Sequence, residues 1–85
     1  MPTRYQASVT LLVSAAEMAD HVPSWWGGEL EPIDEVSCRY RTGDDNLGWL
    51  ATRIVMLGVD FVVDEPPELI EHVRALGARL ERATV

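Results

Sequence analysis

The sequence predicts an α+β fold: a ferredoxin-like β-α-β-β-α-β sandwich with an additional C-terminal helix. Three observations predict it. Tyr5, Ala7, Val9, Leu11 and Val13 alternate with Gln6, Ser8, Thr10 and Leu12, the period of a half-buried strand. Leu47, Leu50, Ile54 and Leu57 recur at helical spacing, and Gly58 stands where a left-handed residue would end that helix. Val59 to Val63 is a short β-branched and aromatic run, stopped by Pro66 and Pro67, which cannot donate to a sheet ladder. The connections are short, so each helix must fold straight back onto the sheet its strand joins.

Taken in order, the first strand leads into Ser14-Ala15-Ala16-Glu17, a capping box, with Val13 placed to staple onto Met18. That helix is short because Pro23 cannot continue it. Trp25-Trp26-Gly27-Gly28 reads as a loop carrying aromatic surface to the sheet edge, one Trp in the core and the other covering. Alternation returns from Glu29 to Ile33, with Leu30 and Ile33 turned inward. A turn at Asp34-Glu35 precedes Val36, Cys38 and Tyr40 on the inner face, with Ser37, Arg39 and Arg41 on the outer. Thr42-Gly43-Asp44-Asp45 is turn chemistry, and either Asp suits the cap of the central helix. After the strand at Val59–Val63, Pro67 suits the first turn of a last helix, striped by Leu69, Val73, Leu76 and Leu80. Leu11, Leu50, Ile54, Phe61 and Val63 are the expected deep core.

A chain of 85 residues, 47% hydrophobic, makes one domain near the lower end of what folds without staples. The single Cys38 excludes an internal disulfide framework and fits a reducing, cytoplasmic compartment. Met1-Pro2-Thr3-Arg4 leads into a strand rather than the apolar run of a signal peptide, and no stretch approaches the length of a membrane span. A net charge of −7 opposes direct binding to nucleic acid, where affinity comes from Lys and Arg on phosphates.

The chemistry-bearing residues are few. His21 and His72 fall in different helices without the spacing of a metal site. Cys38 lies on an inner strand face without an adjacent base, and reads as a small core residue rather than a nucleophile. No cofactor is implied, and no catalytic constellation. An acylphosphatase-like enzyme would need a phosphate-cradling loop with Gly and Arg after the first strand, and Val13 to Glu17 has neither. An RNA-binding sheet would need aromatics on its open face, where this chain has Ser8, Thr10, Arg39 and Arg41. Arg39 and Arg41, joined by Arg4 from the first strand, are the candidate contacts for an anion or a partner, because a guanidinium fork suits carboxylate and phosphate. Their plain role is ion pairing with the acidic surplus. Trp49 lies off the main stripe of its helix and is a candidate interface anchor.

The chain also resembles a known family. The alternating strand Val9–Val13, Ala16–Ala19, Trp25-Trp26, the strand pair Glu29–Arg41, the helix from Asp44 to Leu57-Gly58, the strand Val59–Val63 and Glu65-Pro66-Pro67-Glu68-Leu69 follow the order of the C-terminal extension (WCX) domain of WYL-domain transcriptional regulators. The resemblance covers essentially the whole chain. It implies a bacterial regulatory or assembly domain, a fragment of a longer regulator, whose helix-turn-helix and WYL domains lie outside these residues. Such a domain would convey dimer geometry or effector occupancy to the DNA-binding domain, with no DNA binding of its own. The alternative is a free-standing ferredoxin-like module that binds a small ligand.

Overall fold

A computed structural model describes residues 3–84; Met1 and Pro2, at the start expected to lead into the first strand, lie outside the described residues. The elements are β1 (Tyr5–Leu11), α1 (Ala15–Ala19), a 3-10 turn (Ser24–Trp26), β2 (Glu29–Asp34), β3 (Ser37–Asp44), α2 (Leu47–Val55), β4 (Phe61–Glu65) and α3 (Pro67–Ala83). The fold is mixed α+β: a four-stranded antiparallel sheet in the order β2-β3-β1-β4, with a long helix at the C-terminal end.

The core lies on one side of the sheet. Ala7, Val9 and Leu11 of β1 and Cys38 and Tyr40 of β3 face Met18 of α1, Leu50, Ala51 and Ile54 of α2 and Leu69 of α3 in one buried cluster. The alternation in β1 and β3 places these residues, since successive side chains of a strand point to opposite faces. Ser14 caps α1 by accepting from the Glu17 amide at 3.2 Å. Gly58 follows α2 at φ +74°, in the left-handed region expected of it. Gly28 is held more tightly: at φ +88° a Cβ would lie 2.4 Å from the Arg41 carbonyl oxygen, so only glycine lets this backbone approach β3.

Several boundaries differ from the sequence reading. β4 begins two residues later than Val59 and runs to Glu65, because Asp64 and Glu65 sit on an edge strand, with their side chains in solvent. The same edge position leaves Phe61 and Val63 half-buried instead of deep, while Leu11, Leu50 and Ile54 are fully buried as expected. Val36 and Ile33 are exposed: Val36 belongs to the turn before β3, and a register shift between Pro32 and Asp34 breaks the alternation of β2. Thr42-Gly43-Asp44 continues β3 instead of turning, and Asn46, not an aspartate, caps α2 by accepting from the Trp49 amide at 2.8 Å. Asp44 accepts from the Asn46 amide and Asp45 from the Arg4 amide, so both tie the junction from outside the cap. On α3 only Leu69 is buried; Val73 and Leu76 are half-buried and Leu80 is exposed, so the far half of the helix stands clear of the sheet.

Candidate functional site

The strand registers define the sheet face that the helices leave open. One row sets Glu31, Arg39, Thr10 and Val62 side by side, and the next sets Glu29, Arg41 and Ser8. Arg39 and Arg41 therefore share the open face at its centre, as their spacing on β3 dictates. Acids flank them. Arg41 Nη1 donates to Glu31 Oε2 at 3.5 Å with both side chains half exposed, and Thr10 Oγ1 donates to Asp64 Oδ2 at 2.8 Å on the other side. The face is striped, acid beside arginine beside hydroxyl, rather than uniformly basic. Arg39 has no carboxylate within 4.0 Å among the described residues. An exposed pair such as Arg41–Glu31 contributes only about 0–1 kcal/mol, so an incoming anion competes for the guanidinium on nearly even terms.

Arg4 does not join that pair. It precedes β1 by one residue, and Ser8 is the β1 partner of Arg41 four residues further on, about 13 Å along the strand. Its guanidinium lies over the Tyr5 ring instead, 5.6 Å from the centroid.

A second group forms around α2. Trp49, in its first turn, is 54% exposed, and Val55 and Met56 are exposed as well. The only charged residue of α2, Arg53, turns inward and is 6% exposed. Arg53 Nη1 donates to the Trp26 carbonyl at 3.1 Å, and Nη2 donates to the Gly43 carbonyl at 2.9 Å and to Thr42 Oγ1 at 3.2 Å. Asp44 Oδ2 lies 3.8 Å away, and the guanidinium sits 5.8 Å from the Trp26 ring centroid. Trp26 in turn meets Trp25 edge-on, with centroids 5.9 Å apart and planes at 87°. Trp26 packs against the core and Trp25 is 78% exposed, the division of labour expected of that pair. Trp49 stands one helical turn before Arg53. The outcome is a tryptophan pair braced by a buried arginine, with Trp49 exposed on the same helix that carries that arginine.

Sequence reasoning passed over Arg53. The signal was present: it lies three residues after Leu50 and four before Leu57, inside the apolar stripe, where a charge is out of place unless it is paired.

The remaining ionisable groups have structural explanations. Cys38 is fully buried, and desolvation pushes its thiol above the ordinary value of 9.0, which disfavours the reactive thiolate. The Val36 amide, followed by the Ser37 hydroxyl, holds the Asp34 carboxyl below its ordinary 3.8. His21 Nδ1 lies 2.9 Å from the Glu17 carbonyl on exposed surface, and His72 is half-buried beside Gly48. No group of three or more metal-ligating side chains occurs among the described residues, and no helix there is long and apolar enough to cross a membrane.

A family model described as the WCX domain matches residues 3–80. Among curated proteins and among solved structures, nothing matches.

Proposed function

The chain belongs to the WCX domain family, and on that premise we propose that it is the regulatory and assembly domain of a longer WYL-type transcriptional regulator. It conveys dimer geometry or effector occupancy to a DNA-binding domain elsewhere in the parent chain, and does no catalysis itself. The strand order β2-β3-β1-β4 with the core on one side is, in this reading, the ferredoxin-like arrangement. The observation that carries the proposal is the family match, which spans almost every described residue. The open sheet face supports it: Arg39 and Arg41 stand at its centre in a chain with 14 acids and 7 bases, as a docking point for a carboxylate or phosphate.

The test changes Arg39 and Arg41 together to Gln in the parent regulator, which keeps size and polarity and removes charge. Thermal stability should hardly move, whereas effector response or dimerisation should weaken. Wild-type response, dimerisation and operator binding would reduce the arginine pair to a solvated face, and the Trp49 surface or the terminal helix would take its place. A free-standing small-ligand module is the second reading, favoured by an apolar pocket of about 190 Å³ lined by Val13, Glu17, Met18, His21 and Val59. A helix-turn-helix in the same open reading frame decides for the regulator.

A further inference from the structure

We propose that the free edge of β4 accepts an extended peptide segment as a fifth, antiparallel strand, lying against α3. The segment carries a basic residue at its N-terminal end and a carboxylate at its C-terminal end. This surface borders the arginine face at Val62 and Asp64 but uses neither Arg39 nor Arg41, and it stands or falls independently of the regulatory reading.

The backbone supplies the first argument. The Leu12 amide donates to the Asp60 carbonyl at 2.9 Å, which makes Leu12 and Asp60 a hydrogen-bonded pair. Such pairs alternate along an antiparallel ladder, so Thr10 and Val62 form the next one. Phe61 and Val63, opposite Leu11 and Val9, therefore turn their N–H and C=O groups away from β1 toward the open edge. An added strand meets four unused backbone groups there, the basis of strand addition in peptide recognition.

The two edges of the sheet are not equivalent. β2 carries Glu29, Glu31 and Pro32, devices that blunt an edge against pairing; both edge strands break register once, β2 between Pro32 and Asp34 and β4 only past Val63, where Val9 and Ser8 pair with Val63 and Glu65. The middle of β4 is Phe61-Val62-Val63, with neither charge nor proline. A groove of about 420 Å³ runs beside it, lined by Phe61, Val62, Val63, Ile70, Val73 and Arg74, within the usual size of binding clefts. Ile70 and Val73 offer apolar contact for alternate side chains of an incoming strand.

Charge sets the direction. α3 starts just beyond Glu65 and runs back along β4 at about 1.5 Å per residue, which brings Arg74 toward the Phe61 end. Arg74 is exposed and has no carboxylate within 4.0 Å among the described residues. Asp64, which already accepts from Thr10, and the exposed Glu65 hold the opposite end, whereas Arg74 shares its end with the exposed Asp60, so the acid pair is the stronger guide to direction. An antiparallel strand starts at the acids and finishes at Arg74, hence the basic start and the carboxylate finish. A second copy of β4 fits less well: three carboxylates from each chain (Asp60, Asp64, Glu65) would meet in one seam with a single Arg74 from each.

The experiment titrates residues 1–85 with a labelled seven-residue peptide. It begins with Lys, carries Val or Ile at alternate positions and ends in a free carboxylate. Fluorescence anisotropy reads affinity, and amide hydrogen exchange reads the edge. Binding should slow exchange at Phe61 and Val63. A peptide with Asp first and Lys-amide last should bind about fivefold more weakly, the scale of one exposed ion pair. Arg74→Glu, a surface change that leaves the fold intact, should weaken the original peptide by a similar factor and favour one with Lys at both ends. Val63→Pro removes an outward donor without touching the ladder to β1, and should abolish binding if it folds. Unchanged exchange at Phe61 and Val63 at millimolar peptide would overturn the proposal. So would peptide-independent protection of those amides that rises with protein concentration, which would assign the edge to a second copy.

Discussion

Arg53 is where a single residue carries the most structure. Its guanidinium satisfies two main-chain carbonyls and a hydroxyl that come from the 3-10 turn and from β3, while its own backbone belongs to α2. Only a planar fork with several donors reaches all three acceptors, so lysine is not equivalent here. Arg53→Lys should cost about 1–3 kcal/mol, because the Trp26 or Gly43 carbonyl loses its partner in a buried place. Arg53→Ala should cost more, about 3–5 kcal/mol, with several acceptors orphaned together. Urea denaturation measures both, and near-ultraviolet circular dichroism should show Trp26 loosened. A midpoint unchanged in Arg53→Ala would remove the arginine from its role as brace. The residue scale was partly legible. Arg41 and Trp49 are exposed and Arg39 is half-buried, each on the side of its element that the spacing implied. The depth of Arg53 depends on carbonyls from β3 and the Trp26 turn, which no local pattern reveals.

Among the elements, the β2–β3 hairpin shows how a short turn is fixed by one side chain. Asp34 Oδ1 accepts from the Val36 amide at 2.9 Å and from the Ser37 hydroxyl at 2.8 Å, the self-bonding turn that aspartate favours. Both bonds favour the ionised form, so the carboxyl sits below its ordinary 3.8. A carboxyl lowered in the folded state adds stability that is present above about pH 4. That stability is lost as pH falls through the lowered value. The protection of the Val36 amide, measured against its intrinsic exchange rate at each pH, should therefore fall as the solution is acidified through that lowered value, and Asp34→Ala should show the low protection at every pH. An identical pH profile in the two proteins would detach the turn from the carboxylate. At this scale β1, α2, the Asp34-Glu35 turn and the Pro67 start of α3 were readable, because periodicity and turn chemistry act locally. The end of β4 was not. Asp64 and Glu65 look like strand terminators until the strand is known to be an edge, where a charged residue faces water.

The whole molecule is an acidic body with arginine as its only strong base. All seven basic residues are arginines, and they are dispersed: Arg53 is buried, Arg41 stands near Glu31, Arg4 rests on Tyr5, and Arg74, Arg79 and Arg82 lie along α3. Duplex affinity grows with the number of phosphates neutralised at once, and each contact must outweigh the repulsion of a body at −7. Arg39 and Arg41 stand together on the open sheet face with Glu29 and Glu31 on the adjacent strand, and Arg79 and Arg82, three apart on α3, have Glu81 in the same stretch. Residues 1–85 should therefore bind a 20-base-pair duplex no more tightly than the weak limit of non-specific association, a Kd above about 10⁻⁴ M at physiological salt. Anisotropy of a labelled duplex across a salt series measures this, with a slope near zero expected because few counterions are released. Submicromolar, steeply salt-dependent binding would place DNA contact inside this domain. The expected weak binding would leave operator contact in the proposed regulator to another part of the parent chain.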